Sequence, residues 1–449
     1  MSMDLEIEEP EMGIVEPAVG QTVVPPLPRL GKLAYHGLLS MADQMVVSGT
    51  RFLTSVIVGR ACGPEELGDY TLGFTIYCVF VCIEGSLISV PFTMYRHRFA
   101  DDEQRAYAGS TLVHYGVLGL LVLAILAAAS GAMALGYGGS SNLALLVAIL
   151  GITFPLALLV EFARRFAFAR FDTVTVLVLD LAMSAIQVAG LLWLAARGTL
   201  TAESAYLAMG IGAALAGLTW LATSRKLFLV RRARLVADAL RNVRCGHWFL
   251  WNQLTLAARP AAILWLVAFE MDATWTGIFA ACDILTRMTN PLLYSVANVL
   301  LPNAARASAT GDTAQVRQLV FHAALVLFMS TVPLFLLFLL CGDPMLAKLY
   351  GDAYSGQGIV VAILALAGIA DALDTAATNG LLAIDRPNAS FVASLIGTII
   401  MLAIAALLVP AWGIVGAAVG SLVGRSITPA LQWLAFLRQT NRPVLRAHS

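Results

Sequence analysis

Long apolar runs alternate with short polar connections along most of the chain. Twelve runs reach the roughly 20 residues that an α-helix needs to cross the hydrocarbon core of a bilayer. In the first half they lie at about 35–59, 67–95, 109–136, 143–163, 173–196 and 202–222. In the second half they lie at about 248–269, 274–300, 317–341, 357–383, 388–410 and 412–436. The pattern predicts an all-α polytopic membrane protein with about twelve transmembrane helices.

The two halves of the chain carry related motifs. In each half an arginine-bearing run ends at a short polar turn and a second run follows. Aligning Gly68 with Gly277 places Arg51 within one residue of Arg259. Six spans in each half give the halves the same orientation, so an axis along the membrane normal should relate them. We therefore expect two six-helix lobes, 31–222 and 248–437, around a central cavity.

Composition and charge agree with a membrane protein and predict its orientation. Only 12% of the residues are charged and the mean hydropathy is +0.81, whereas soluble proteins have about 25% charged residues. Alternate connections hold 21 Lys and Arg on one side of the predicted bundle against three on the other. Short loops rich in Lys and Arg stay in the cytoplasm, so both termini are expected there. No feature suggests binding to nucleic acid.

The segments outside the lobes differ in charge. Residues 1–30 are acidic and proline-rich, which predicts a disordered cytoplasmic tail, and 438–449 should form a second tail. The link 223–247 mixes basic and apolar residues. It fits an amphipathic helix at the membrane surface, or a solvated connector whose charges only fix the topology. The six cysteines lack metal or disulfide spacing, and neither a metal nor a cofactor is expected.

Four arginines lie inside predicted spans: Arg51, Arg259, Arg287 and Arg425. Each would cost about 2.5 to 3.5 kcal/mol at the centre of a lipid-facing helix, so they should face protein or water. They form a candidate cationic lumen for an anionic ligand. Polar residues expected to line the same lumen are Gln44, Ser48, Gln187, Asn252 and Asn290. The alternative is that the arginines form buried ion pairs, as the spacing of Asp283 and Arg287 allows.

Five acidic residues also lie within the spans: Glu84, Asp180, Asp283, Asp371 and Asp374. Carboxylates inside membranes often relay protons or bind cations, which makes these residues candidates for ion coupling. Equally, each could neutralise one of the arginines. The sequence leaves both interpretations open.

Three stretches of the chain resemble the polysaccharide transporter branch of the multidrug, oligosaccharidyl-lipid and polysaccharide exporter superfamily. They are Arg60–Tyr70, where Cys62 and Leu67 depart mildly from the pattern; Thr276–Ala281 with Leu301-Pro302 and Gly311-Asp312; and Leu349–Tyr354 with Gly380–Ile384 and Gly413–Ala418. The resemblance implies a MATE-like fold and alternating access. It also implies transport of an undecaprenyl-diphosphate-linked saccharide across a bacterial inner membrane, with basic residues in the cavity and polysaccharide polymerase or export machinery as partners.

Several functions compete with a flippase for lipid-linked oligosaccharides. A drug or metabolite antiporter of the same superfamily should prefer an acidic, aromatic lumen, which the four arginines argue against. A membrane glycan polymerase or ligase would need a large outer loop, and none of the predicted loops is long enough, so an enzyme is not expected. A non-transporting scaffold for polysaccharide export remains open.

Overall fold

The computed structural model describes residues 30–137 and 141–440. Within these ranges all regular structure is helical, which confirms the all-α prediction. The first half holds α1 (Leu30–Cys62), α2 (Pro64–Glu84), α3 (Val90–Tyr95), α4 (Asp101–Ala134), α5 (Ser141–Ala169), α6 (Thr173–Ala196) and α7 (Ala202–Ser224). The second half holds α8 (Leu235–Glu270), α9 (Ala273–Thr286), α10 (Asn290–Ala309), α11 (Thr313–Tyr350), α12 (Gly358–Ala383), α13 (Pro387–Trp412) and α14 (Ile414–Thr440). The predicted tails, before Leu30 and after Thr440, lie outside the described residues.

The second segment of each half is interrupted. A π-helical stretch, Gly85–Ser89, joins α2 to α3, and a 3-10 turn, Arg287–Thr289, joins α9 to α10. Each break is followed by a proline in the first turn of the next helix, Pro91 or Pro291. Proline lacks an N–H group and its ring clashes with the carbonyl four residues earlier, so the preceding turn takes another hydrogen-bonding pattern. With these joins the fourteen helices of the described chain form twelve segments.

Nine of the twelve segments in the described ranges are long and apolar enough to cross a membrane. The other three are α1, α8 and the pair α9–α10. These three carry Arg51, Arg259 and Arg287. The fourth predicted arginine, Arg425, lies on α14, which is among the nine.

The helices form two lobes whose interface holds α2 and α9. Helices α1 and α4 to α7 pack mainly within the first lobe, and α10 to α14 pack mainly within the second. The first lobe has an aromatic core. In it Tyr70 stacks on Tyr206 with ring centroids 4.8 Å apart, and Phe154 meets Tyr206 edge-on. Such contacts add to the apolar area that the rings bury and hold the helices of this lobe together.

Helix α8 bridges the two lobes. Only two 3-10 turns, Arg225–Leu227 and Arg232–Arg234, precede it in the link, and the predicted boundary at 247/248 falls inside its continuous helix of 36 residues. At 1.5 Å per residue it is about 54 Å long, well over the thickness of a hydrocarbon core. Its first part docks on α4, where Tyr107 donates a hydrogen bond of 2.6 Å to Oδ1 of Asn242.

The two ends of the bundle differ in charge. We call the end with the turns at 62–64 and 271–272 the Gly63 end. The opposite end, with the connections at 170–172 and 225–234, is rich in arginine and is called the basic end. The charge rule predicts that the basic end faces the cytoplasm.

Candidate functional site

Each lobe contains a cavity that reaches predicted site residues. The cavity of the first lobe is lined by α1, α2, α5, α6 and α7. The cavity of the second lobe is lined by α8, α9, α12, α13 and α14. The predicted arginines are divided between them. Arg51 lines the first cavity, and Arg259, Arg287 and Arg425 line the second.

Arg51 is exposed in the first cavity. Its guanidinium carbon lies 5.3 Å from the centroid of the Phe74 ring, close enough for a cation–π contact. No carboxylate among the described side chains lies within 4.0 Å of its guanidinium nitrogens. Arg51 therefore keeps its charge available to the cavity.

A second arginine of the first cavity, Arg164, lies among three carboxylates. Its Nε is 2.6 Å from Asp180, and its terminal nitrogens are 3.1 Å from Asp43 and 3.2 Å from Glu161. Three acids against one guanidinium leave this cluster negative when all are ionised.

Sequence reasoning placed Arg164 in a connection at the cytoplasmic side. The predicted span ended at 163, whereas α5 continues to Ala169 and takes Arg164 with it. The spacing of Glu161 and Arg164, three residues apart in a helix, was the one local signal for this pair. Asp43 and Asp180 come from α1 and α6, so their contact with Arg164 depends on tertiary packing.

Two arginines of the second cavity are paired with acids. Arg287 donates from Nε to Asp283 across 2.6 Å within the same turn of helix. Arg425 donates from Nε to Asp371 across 2.9 Å, and its Nη2 contacts the other carboxylate oxygen. The latter pair joins α14 to α12. Both arginines thus have their charge balanced by a neighbour.

Arg259 lacks such a partner. Its Nη2 donates a hydrogen bond of 2.6 Å to the hydroxyl of Thr428. Its Nε is sealed from solvent and has no hydrogen-bond partner among the described residues, and no carboxylate described lies within 4.0 Å. Asp374 lies farther than 4.0 Å from Arg259 but still interacts with it electrostatically. The Oδ1 atom of Asp374 has no hydrogen-bond partner among the described residues. The lining of this cavity holds three arginines against two acids, and Arg259 is the surplus cation.

The remaining predicted residues lie in varied settings. Glu84 is fully buried beside the π-helical stretch, where Ser89 donates to it and Nε of Arg165 lies 3.6 Å away. Gln187 lines the first cavity and donates a hydrogen bond of 3.0 Å to Thr54.

Four further predicted residues lie on α1, α8 and α10. Gln44 donates to Ser48 within α1 across 3.3 Å. Asn252 is exposed on α8, and Asn290 is partly buried at the start of α10. No group of His, Cys, Asp and Glu in the described ranges is arranged to hold a metal ion.

Solved structures with the same architecture define the class of fold. An inward-facing multidrug resistance MATE family transporter of the MOP superfamily aligns with a TM-score of 0.74 and 14% identity, over 91% of this chain and 97% of that chain. An outward-facing one aligns with a TM-score of 0.66 and 12% identity, over 91% and 95%. A MOP superfamily transporter from Pyrococcus furiosus, described as having a binding pocket of reverse polarity, gives the same values. The chain thus has the fold of MOP transporters, and its nine described apolar segments long enough to cross a membrane make it a multi-pass membrane protein.

The family follows from the sequence match. The model of the family described as "Polysaccharide biosynthesis protein" matches residues 36–308, more than half of the chain. The chain belongs to this family. No curated protein sequence matches it.

Proposed function

We propose that the protein is a flippase for an undecaprenyl-diphosphate-linked oligosaccharide, such as an O-antigen or exopolysaccharide repeat unit. It would move this lipid from the inner to the outer leaflet of a bacterial cytoplasmic membrane by alternating access. The observation that carries the proposal is that the guanidinium of Arg259 lines the second cavity with no carboxylate of the described residues within 4.0 Å.

A diphosphate fits this guanidinium. A partly buried charge without a counter-ion is costly, and a bound anion removes that cost. The planar guanidinium also offers paired N–H donors that match phosphate oxygens. In the second cavity the neighbouring arginines are already paired, so Arg259 is the group that gains most from an incoming anion. A diphosphate headgroup supplies both the charge and the acceptor oxygens.

The proposed direction of transport rests on charge. The basic end holds the Arg-rich connections at 96–105 and 225–234, and segments of this kind stay in the cytoplasm. Both termini would then be cytoplasmic and the Gly63 end would face outward. The substrate would be loaded from the basic end and released toward the Gly63 end.

Coupling to an ion gradient would involve the intramembrane acids. Four of the five predicted acids lie within 4.0 Å of an arginine nitrogen: Asp180, Asp283, Asp371 and, at the longest distance of 3.6 Å, Glu84. Glu84 and Asp374 each keep one carboxylate oxygen without a hydrogen-bond partner among the described residues. These two residues are the better candidates for taking up a proton or cation during the cycle.

A second candidate function is favoured by the first cavity. Asp43, Glu161 and Asp180 outnumber the one arginine that they contact, and a negative cluster suits a cationic ligand. A drug or metabolite cation antiporter would use this cluster. The unpaired Arg51 argues against an antiporter, because Arg51 adds a positive charge to the lining of the same cavity.

The test is flipping of a fluorescent undecaprenyl-diphosphate saccharide in proteoliposomes. Wild type is compared with Arg259→Ala and Arg51→Ala. Arg225→Ala is the matched control, because Arg225 is exposed at the basic end and lines neither cavity. We expect at least a tenfold loss of flipping in Arg259→Ala, with the control and the melting temperatures unchanged.

Other outcomes decide between the alternatives. Flipping by Arg259→Ala at the wild-type rate would remove the proposed role of this residue. No flipping of any lipid-linked glycan by the wild type, together with uptake of an organic cation, would favour the antiporter. If neither is transported but the protein copurifies with a polysaccharide polymerase, the scaffold function is favoured.

A further inference from the structure

The two lobes meet at the Gly63 end through glycine backbones. Gly68 of α2 and Gly277 of α9 face each other, and a Cβ atom on Gly277 would lie 2.8 Å from the amide nitrogen of Gly68 and overlap the carbonyl oxygen of Pro64. The reverse contact has the same form, because a Cβ on Gly68 would lie 3.1 Å from the Gly277 nitrogen and overlap the carbonyl oxygen of Ala273. Neither position has room for a side chain while the lobes stay in this arrangement.

Two tyrosines of the second lobe cover α1 beside this contact. The hydroxyls of Tyr350 and Ser55 are 3.0 Å apart, and Tyr354 donates a hydrogen bond of 3.2 Å to the carbonyl oxygen of Gly59. Both tyrosines are fully buried. A Cβ on Gly59 would lie 2.7 Å from the Tyr350 ring and 2.9 Å from the Tyr354 hydroxyl. Burial raises the pKa of Tyr354, so its phenol stays protonated and can donate.

An arginine at the rim adds a third link. Arg60 donates to the carbonyl oxygens of Lys348 (2.5 Å) and Leu349 (3.4 Å) in the last turn of α11. Carbonyls at a helix C-terminus have no partner within their own helix and carry partial negative charge, so a cation is favourable there. The link crosses from the first lobe to the second.

We propose that these contacts form a gate, closed in this structure, and that the glycine contact between Gly68 and Gly277 sets how stable the closed form is. Its members are Ser55, Gly59, Arg60, Gly68, Gly277, Tyr350 and Tyr354. The gate would separate for the cavities to open toward the Gly63 end.

The composition of the gate suits reversible opening. Backbone packed on backbone leaves two smooth surfaces, whereas interdigitated side chains would have to unpack before the lobes could part. The hydroxyls, the guanidinium and the backbone carbonyls of the gate would each find water as a partner once the lobes separate. The aromatic core of the first lobe, by contrast, lies within one lobe and can stay intact throughout.

Adding one methyl group should therefore shift the gate toward its open form. The extra methyl group of Gly277→Ala clashes with α2 while α2 and α9 are in contact, and the clash disappears once they separate. The variant should therefore destabilise the closed state and leave the free energy of the open state unchanged. Tyr350→Phe with Tyr354→Phe removes two hydrogen bonds and keeps the packing, so it should shift the same equilibrium less far.

Distances between spin labels at both ends of the bundle test the gate. Thr199 and Ser355 are exposed at the Gly63 end on different lobes, and Ala100 and Thr310 are exposed at the basic end. Each pair is labelled in a full-length protein whose six cysteines are replaced and whose melting temperature matches the wild type. Distance distributions are measured in liposomes by double electron–electron resonance.

We expect Gly277→Ala to make the longer distance the main population at the Gly63 end and to shorten the distance at the basic end. Gly131→Ala is the control, because Gly131 lies in helix α4 with open space around its Cβ position. Unchanged distributions in a folded Gly277→Ala variant would overturn the proposal. If this variant fails to fold, the double Tyr→Phe variant decides, with the exposed Tyr137→Phe as its control. No shift in the double variant would equally overturn the gate, and neither result depends on the transported substrate.

Discussion

The guanidinium of Arg164 in α5 donates to Asp180 in α6 across 2.6 Å, and two more carboxylates complete the cluster around it. The side chain of Arg164 is only 14% exposed. A charge in this position is stable because its acids come from three helices that pack around the first cavity. The cluster therefore ties α1, α5 and α6 together as well as lining the cavity.

Arg164→Ala should destabilise the protein strongly. Removing one partner of a buried ion pair costs about 3 to 5 kcal/mol, and here it leaves three carboxylates facing one another. We expect a clearly lower melting temperature in detergent. Arg170→Ala, in the exposed turn that follows α5, is the control and should melt like the wild type. An unchanged melting temperature for Arg164→Ala would mean that the acids do not need this arginine.

Hydropathy could predict the helices but not this cluster. A bilayer forces about 20 consecutive apolar residues into each span, so the twelve segments are visible in the sequence. A hydropathy-based prediction ends a span at its first charged residues, so it places Arg164 and Arg165 in the connection after the span. In the structure α5 continues past both residues. The contacts of Arg164 with Asp43 and Asp180 span 121 and 16 residues of chain, and no local pattern encodes them.

The division of the arginines between two cavities has a similar origin. Helical spacing indicates that Arg51 and Arg259 avoid lipid, and their equivalent positions in the two halves favour a shared lumen. The structure instead places each in the cavity of its own lobe. The sequence could suggest a partner for Arg287, because Asp283 lies one helical turn away from it. It could not suggest one for Arg425, because its partner Asp371 lies on another helix.

Arg425→Ala and Arg259→Ala should differ in their effect on stability. Loss of Arg425 leaves Asp371 without its partner, at a cost of roughly 1 to 3 kcal/mol, because Asp371 is 29% exposed and partly solvated. Arg259→Ala removes an unpaired charge, so it should change the free energy of unfolding little. Melting temperatures of the two variants check this directly. Equal melting temperatures would contradict the distinction between paired and unpaired arginines.

The double variant Arg425→Ala with Asp371→Ala sharpens the same test. If the two side chains interact chiefly with each other, the double variant should be more stable than the sum of the single effects indicates, by about 0.5 to 3 kcal/mol. The pair Arg425→Ala with Asp283→Ala is the control, because Asp283 bonds Arg287 instead. Additive losses in the first pair would show that the ion pair contributes nothing to stability.

The anchor of α8 on the first lobe provides the last prediction. Tyr107 and Asn242 are both buried, and their hydrogen bond of 2.6 Å joins α4 to the first part of α8, as does a 3.0 Å contact between Nε2 of His114 and the carbonyl oxygen of Leu235. Tyr107→Phe leaves the amide oxygen of Asn242 buried without a donor, which costs about 1 to 3 kcal/mol. We expect a lower melting temperature and faster amide hydrogen exchange in residues 235–246, where exchange reports local opening of a helix. The exposed Tyr137→Phe should change neither quantity. Slower or unchanged exchange in 235–246 would mean that α8 is held on the first lobe by other contacts, such as the close approach of Gly246 to the Ser86 carbonyl.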